Sequence, residues 1–444
     1  MSDVDLIVRG GRVVTSTEVF VSDVAVKDGV IVAVEPELVL SADEVVDASG
    51  LHVFPGGIDS HVHFNTPGRT EWETIECGTA ALAAGGYTTF IDMPLNNLPV
   101  TIDGPSFDLK RKAAELSSLV DFGLWGGLVP GKVDRLAELE ERGVMGFKAF
   151  MCPSGIDEFP AADERTLREG MKRISQLDSV LLVHAEDPTT LDSHSRLAAG
   201  ATWRDFVRSR PPEAELRAIL LATAIARENQ CRLHIVHVST GRGAELIAEA
   251  QVRGTDVTGE TCPHYLLYVD DDLERLGGAG KCAPPVRTKE DRYQLWRAVL
   301  EGRLPIVVSD HSPSTLDLKE GGDFFKIWGG ISGCQSTRQL LLAKGMSPST
   351  VAAITAANVA ERFDLTDKGY IAAGYDADLW LADLSHDDVV RREDLLYRNQ
   401  FSAHEGQPIR GRTVRTMVRG QTVYAEGKPV GQPSGRFIRP TAGS

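Results

Sequence analysis

Six polar residues, each beside an apolar or glycine-rich run, are the side chains of this chain most able to do chemistry. Imidazole nitrogens and carboxylate oxygens are common ligands of divalent metal ions. A buried polar side chain costs free energy unless something pairs with it, so polar groups at the ends of apolar runs suggest a shared site. The pattern favours side chains that converge at the C-terminal rim of a barrel, where barrel enzymes keep their active sites. The six residues are His61, His63, Lys148, His184, His237 and Asp310.

The histidines each have a plainer interpretation beside the metal one. His61 and His63 are two residues apart, so in a strand they face the same side and can chelate one ion; the alternative is a surface pair near a turn. His184 and His237 follow apolar runs, which singly is typical of satisfied core histidines. Taken together with the first pair, they favour a metal site. His234, three residues before His237 in one predicted strand, is interpreted as structural.

Lys148 and Asp310 need separate arguments. An ammonium has donors only and cannot bind a cation, so Lys148 fits a metal site only after its amine has reacted with carbon dioxide to give an anionic, two-oxygen carbamate. The alternatives are a surface lysine and a substrate-binding cation. Asp310 follows the apolar run "LPIVVS" and is either a metal ligand that also acts as a base or a helix N-cap. His264, in "GETCPHY", is a candidate for orienting another group by a hydrogen bond.

The elements that must position these residues fall into three parts. Residues 1–52 contain short Val/Ile runs broken by glycine, which predicts a small antiparallel sheet. Residues 53–365 alternate strand-like runs with helical stretches such as "ERTLREGMKRISQL", which predicts βα units, roughly the eight needed for a (β/α)8 barrel. Short strands return in residues 366–444. The prediction is an α/β protein in which 1–52 and 366–444 form one discontinuous β-sandwich domain.

Composition restricts the partners and the compartment. The 444 residues carry a net charge of −16, which argues against nucleic-acid binding through a basic surface. No apolar stretch approaches the roughly 18 residues that span a bilayer, and the N-terminus is unlike a signal peptide. The six cysteines include no C-x-x-C pair, which predicts free thiols in a reducing compartment. We therefore expect a cytoplasmic protein with no membrane or nucleic-acid partner.

Nearly the whole chain resembles the cyclic amidohydrolases of the amidohydrolase superfamily. "PGGIDSHVHF" is similar to their H-x-H signature of strand one, and "GFKAFM" to the strand-four segment with a carboxylated lysine. "VHAED", "HVST" and "SDHSP" are similar to the ligand segments of strands five, six and eight, and "KCAPPVR" to a substrate loop. The resemblance implies an enzyme with a two-metal centre. It assigns His61, His63 and Asp310 to one ion, His184 and His237 to the other, and Lys148, as N6-carboxylysine, to both.

The same resemblance implies a mechanism. A hydroxide held between the ions would attack a ring amide, while Asp310 acts as base and then as acid toward the leaving nitrogen. Zinc suits the nitrogen and oxygen ligands, and cobalt, manganese, iron or nickel also fit. Asn96, Ala283 and Gly330 are the expected substrate-binding residues. Relatives of this kind imply a homotetramer that acts on a small molecule.

Weaker segments indicate the group within the superfamily. "NTPGRTEWE", "DMPLNN" and "WGGISGCQS" resemble allantoinase segments, which implies ring opening of allantoin to allantoate. Asn65 stands where related dihydroorotases carry an arginine that holds a substrate carboxylate, so an uncharged ring is favoured. Thr66 and Ala283 depart from the usual Glu and Ser, which leaves fine specificity open. The alternatives are a hydantoinase or dihydropyrimidinase, and a non-catalytic relative, against which the complete ligand set argues.

Overall fold

Eighteen strands and fourteen α-helices make up the regular structure of residues 2–441, the part of the chain that the computed structural model describes. The strands are β1 Val4–Val14, β2 Val19–Lys27, β3 Val30–Glu35, β4 Ala42–Asp47, β5 His52–Pro55, β6 Gly57–Val62, β7 Tyr87–Asp92, β8 Asp121–Leu124, β9 Gly126–Gly127, β10 Phe147–Phe150, β11 Val180–His184, β12 Arg232–Ile235, β13 Val257–Thr261, β14 Ile306–Val307, β15 Leu379–Val389, β16 Pro408–Val418, β17 Gln421–Ala425 and β18 Lys428–Pro429. The helices are α1 Ile75–Ala84, α2 Gly104–Ser117, α3 Leu136–Glu141, α4 Glu164–Gln176, α5 Pro188–Leu197, α6 Trp203–Ser209, α7 Pro212–Asn229, α8 Gly241–Val252, α9 Pro263–Leu267, α10 Leu273–Leu276, α11 Lys289–Leu300, α12 Thr337–Ala343, α13 Pro348–Ala352 and α14 Asn358–Arg362.

The central strands are parallel and form the predicted barrel. β6, β7 and β8 make one sheet, and β9 to β14 make a second in sequence order. β8 and β9 are two parts of one barrel strand, because only Trp125 separates them and each pairs with the next strand on its own side. A parallel bridge from Val62 to His311 brings the end of β6 beside the segment that follows β14. The ring therefore has eight strands, and the predicted fold class is confirmed.

Eight of the fourteen α-helices of residues 2–441 begin at a residue whose side chain caps the first turn. In α4, the Asp163 carboxylate accepts a hydrogen bond from the Thr166 amide at 2.8 Å, which satisfies a free N–H of the first turn. Its buried positions recur three and four residues apart, the spacing of an amphipathic helix. The predicted helical stretch "ERTLREGMKRISQL" forms α4. No helix within residues 2–441 is long and apolar enough to cross a bilayer.

The two ends of the chain share one nine-stranded sheet. Its order is β18-β17-β16-β15-β5-β1-β2-β3, with β4 also paired to β1, and the antiparallel pairing of β5 with β15 joins the N-terminal to the C-terminal part. The expectation of a purely antiparallel N-terminal sheet is wrong. The chain crosses back after β3, so β4 and β5 both run parallel to β1. The domain boundaries, 1–52 with 366–444 and 53–365, stay a prediction, and residues 442–444 lie outside the described residues.

A buried ion cluster lies where the barrel meets the C-terminal strands. Lys368 Nζ lies 2.9 Å from Asp121, 2.8 Å from Asp376 and 3.0 Å from Asp378, and Arg419 also pairs with Asp121. Burial opposes the charge on Lys368, but the three carboxylates together raise its pKa above the ordinary value. Asp121 begins β8, so this cluster is at the N-terminal end of the barrel strands.

Candidate metal centre and active site

All six candidate residues lie in barrel strands or within three residues of the C-terminal ends of those strands. His61 is in β6 and His184 ends β11, whereas Lys148 is the second residue of the short strand β10. The other three, His63, His237 and Asp310, follow the ends of β6, β12 and β14. The three side chains His61, His63 and Asp310 form one group. His61 Nε2 and His63 Nε2 are 3.3 and 3.5 Å from Asp310 Oδ1. All three are buried, and their ligand atoms lie within 4.8 Å of one another.

His184, His237 and Lys148 lie beside this group. The rings of His184 and His237 are 4.6 Å apart, and that of His237 is 5.5 Å from that of His61. The Nδ1 atoms of His184 and His237, and Lys148 Nζ, are buried without a hydrogen-bond partner among residues 2–441. Buried polar atoms in native proteins nearly always have a partner. Three such atoms in one place indicate that the site holds a further group.

The protonation of these residues suits metal binding. Burial lowers the pKa of His61 and His237 well below the ordinary histidine value, and that of His184 in the same direction. The imidazoles are therefore neutral at pH 7 and have a free lone pair, which metal ligation requires. Burial also lowers the pKa of Lys148 to about 8. An amine this close to neutrality at pH 7 is more reactive than an exposed lysine.

Two of the candidate ligands have strained backbones. His237 and Asp310 have φ angles of 40° and 46°, and Asn96 at the same end has a φ of 77°. Non-glycine residues in this region cost about 1–3 kcal/mol and cluster at functional sites. The expectation that His234 and His237 share one strand is wrong, because β12 ends at Ile235 and the chain turns before His237.

Acidic residues that sequence reasoning missed orient two of the histidines. Glu260 Oε1 is 2.5 Å from His61 Nδ1, and its Oε2 is 3.0 Å from His234 Nε2. His234 therefore acts on the site only through Glu260. Glu186 Oε2 is 2.8 Å from His184 Nε2, and Arg210 pairs with the same carboxylate. Such contacts fix which ring nitrogen faces a metal. For Glu186 the sequence signal was its place two residues after His184 in "VHAED", whereas Glu260 lies in β13, distant in sequence from His61, and had no such signal.

A cavity of about 400 Å³ opens over the ligand cluster. Asn96, Ala283 and Gly330, the expected substrate-binding residues, line its wall. The Gly330 N–H donates to the Lys281 carbonyl at 2.8 Å. Asn65 donates to the Asn96 carbonyl at 3.3 Å, so its side chain supports the wall from behind.

Two further predictions concern His264 and the cysteines. His264 is buried near Asp310, and neither of its ring nitrogens has a hydrogen-bond partner in the described part of the chain. The expectation that it orients another group by a hydrogen bond therefore finds no bond here. All six cysteines are free thiols, as predicted.

The family follows from a match over most of the chain. A model described as the amidohydrolase family matches residues 52–423, which include all six candidate ligands. The chain belongs to the amidohydrolase family. A protein from Rubrobacter xylanophilus named allantoinase is 54% identical over 99% of this chain and 98% of its own length. Another of that name, from Desulfitobacterium hafniense, is 45% identical over 99% of this chain and 100% of its own length.

A solved structure has the same fold as this chain. L-hydantoinase (dihydropyrimidinase) from Arthrobacter aurescens superposes with a TM-score of 0.95 at 33% identity, and covers 98% of this chain and 100% of that one. The predicted family, fold class and enzymatic nature are confirmed. The family supports metal-dependent hydrolysis of cyclic amides, and the residues of this chain present ligand groups that fit a divalent metal centre.

Proposed function

We propose that this enzyme opens the ring of allantoin by hydrolysis and releases allantoate. One observation carries the proposal. The six candidate ligands converge beneath a cavity of about 400 Å³, in a chain 54% identical over nearly its full length to a protein named allantoinase. A cavity of this size suits a small, polar ring.

The proposed cofactor is a pair of divalent ions, with zinc as the first candidate. The site fits them, because His184 Nδ1 and His237 Nδ1 are neutral, buried and unpaired within residues 2–441, and His61 and His63 share Asp310. When bound, such ions polarise a ring carbonyl and lower the pKa of a water. Glu260 and Glu186 hold the rings of His61 and His184 so that the opposite nitrogen faces the centre.

Asp310 carries the proton transfers in this proposal. Its carboxylate is at the floor of the cavity, and Oδ1 faces His61 and His63. As the water oxygen bonds to the ring carbonyl carbon, the carboxylate takes the proton. It then delivers that proton to the ring nitrogen as the carbon–nitrogen bond breaks, which leaves a carboxylate product. Asn96, Ala283 and Gly330 present the polar groups along the wall that orient the ring.

Lys148 is proposed to be N6-carboxylated. Its amine is fully buried and has no hydrogen-bond partner among the described residues, although Glu260 and Asp310 are near enough to raise its pKa against the effect of burial. Bond formation between Nζ and carbon dioxide releases one proton and creates an anion able to bind both ions. The test is Lys148→Ala assayed with and without a short-chain carboxylic acid. Partial recovery of activity with the acid supports the carbamate, and full activity without it contradicts the proposal.

Hydantoinase activity is the second candidate, favoured by the TM-score of 0.95 to an L-hydantoinase. The deciding experiment compares the metal-loaded enzyme on racemic allantoin, hydantoin, dihydrouracil and dihydroorotate. A kcat/KM for allantoin at least roughly tenfold above the others, which corresponds to about 1.4 kcal/mol, supports the proposal. A higher value for hydantoin or dihydrouracil overturns the substrate assignment and leaves the reaction class intact.

A homotetramer in the cytoplasm is also proposed. The tetramer rests on the resemblance described above, and the compartment on six free thiols. Light scattering of the purified protein tests the tetramer, since a mass near four times 48.1 kDa is expected. Fractionation of the source cells tests the compartment.

A further inference from the structure

One wall of the cavity is an irregular segment, Phe325–Gly330, that neither a helix nor a strand supports. Two lysine side chains hold it through its carbonyl groups. Lys281 Nζ donates to the Phe325 carbonyl at 3.1 Å and to that of Ile327. Lys319 Nζ donates to the Trp328 carbonyl at 3.0 Å and to that of Gly330. Four of the six carbonyls of the segment thus accept from these two ammonium groups.

The two lysines are unusual in burial and in charge. Each is only 5% exposed, and neither forms a salt bridge among residues 2–441. The charged or titratable groups that face Lys281 are Arg210 and Asp323, and Lys319 faces Lys281 and the Cys282 thiol. Burial lowers the pKa of Lys281 to about 8 and that of Lys319 to about 7. A buried ammonium that forms no salt bridge is costly, so its carbonyl contacts must matter to the protein.

The same contacts join the segment to a second part of the cavity wall. The Gly330 N–H donates to the Lys281 carbonyl at 2.8 Å, and Lys281 is two residues before Ala283, which also lines the cavity. The Trp328 N–H donates to the Leu318 carbonyl at 2.8 Å, beside Lys319. Lys281 therefore ties Phe325–Gly330 to the wall segment that contains Ala283, and Lys319 ties it to the neighbouring Leu316–Lys319 turn.

We propose that Lys281 and Lys319 are positioning residues that fix Phe325–Gly330 as a rigid wall and so determine which ring substituent the enzyme accepts. This proposal rests on the proposed function, because the wall faces the cavity assigned to the ring substrate. Without the clamp, the segment would have to be ordered at each binding event, and this loss of backbone entropy weakens binding. A substrate whose substituent reaches the wall is then affected more than a bare ring.

The test compares Lys319→Met and Lys281→Met with Lys172→Met. Lys172 is exposed on α4 and does not line the cavity, so the same substitution there is a matched control. We expect KM for allantoin to rise by roughly tenfold or more in the clamp variants, with kcat within about threefold, and KM for unsubstituted hydantoin to change by less than about threefold. Amide hydrogen exchange in Phe325–Gly330 should accelerate, and Lys319→Arg should restore part of the loss.

Two results would overturn the proposal. One is that Lys319→Met behaves like Lys172→Met in both hydrogen exchange and kinetics. The other is an equal loss on both substrates together with a matching loss of folded protein, which indicates a purely structural role. Lys281→Gln, which keeps an amide donor, covers the case in which the methionine variants do not fold. If the parent enzyme does not open allantoin, the proposed function fails, and the clamp is tested with the 5-substituted hydantoin that the parent opens best.

Discussion

Two buried lysines at opposite ends of the barrel differ in their charged partners and in the direction in which their pKa is shifted. Lys368, at the N-terminal end, has three carboxylates within 3.0 Å, and its pKa is raised. Lys148, at the C-terminal end, has no hydrogen-bond partner in the described structure, and burial lowers its pKa to about 8. Both side chains are almost wholly inaccessible. Both lysines are buried, so the carboxylate partners, and not burial alone, determine whether the pKa of a lysine is raised or lowered.

The two surroundings differ in the same way. Around Lys368, Arg419 pairs with Asp121 across the junction of barrel and sheet and donates its backbone N–H to Asp378. Around Lys148, unpaired histidine nitrogens and two residues with strained backbones collect under an open cavity. Natural proteins tolerate unsatisfied and strained groups mainly where function needs them. The difference separates the end that holds the fold together from the end that does chemistry.

Lys148→Ala should give the largest effect. Loss of the group proposed to hold the metal centre should remove several kcal/mol of transition-state stabilisation, so kcat/KM should fall by roughly 10³-fold or more. The free energy of unfolding of the metal-free protein should stay equal or rise, because an unpaired buried amine is removed. Steady-state kinetics and urea denaturation measure the two quantities. An unchanged metal content and turnover would show that Lys148 is not part of the centre.

Lys368→Met should reverse that pattern. Removal of the ammonium leaves Asp121, Asp376 and Asp378 buried with too little positive charge, which costs about 3–5 kcal/mol of unfolding free energy. The activity of the folded fraction should not change, because the cluster is at the other end of the barrel. Urea denaturation of this variant beside the exposed control Lys172→Met gives the difference. Equal stability of the two variants is the result that would remove the contrast between the two ends.

Glu260→Gln should have an intermediate effect. Its carboxylate accepts from His61 Nδ1, and loss of such a contact usually lowers metal affinity or activity by about 10–100-fold. The expected result is weaker metal retention during dialysis, with a smaller change in kcat at saturating metal. Metal analysis after dialysis provides the readout. A variant that retains metal as firmly as the parent would indicate that His61 needs no such support.

Much of this arrangement was predictable, and the reasons are local. Strand ends carry short sequence signals, so "SHVHF", "VVSD" and the other ligand segments could be placed on one rim before any contact was known. The parallel pairing of β4 and β5 with β1 could not be predicted from the sequence, because it depends on how the chain crosses the sheet after β3. The contact of Glu260 with His61 could not be predicted, because the two residues are distant in sequence. The contacts of Lys319 could not be predicted either, because backbone carbonyls leave no pattern in the sequence.

The smallest effect expected is a pH dependence at the junction. Burial opposes ionisation of Asp121, but Lys368 and Arg419 outweigh it, so its pKa lies below the ordinary value of 3.8. A lowered carboxyl pKa contributes stability that is present above 3.8 and is lost as the pH falls through the folded value. The difference in melting temperature between the parent and Asp121→Asn should therefore be constant from about pH 7 to 5 and shrink below about pH 4. A difference that grows on acidification contradicts this assignment.

The most direct test of the central claim is a metal titration. Protein freed of metal by a chelator is titrated with zinc while the consumption of allantoin is followed. The unpaired groups around Lys148 predict almost no turnover without metal and a rise to a plateau at two equivalents per chain. Full turnover by the metal-free protein would contradict the claim that this end of the barrel is a metal centre. So would a wild-type protein that binds no zinc during the titration and turns over allantoin as fast as Lys148→Ala.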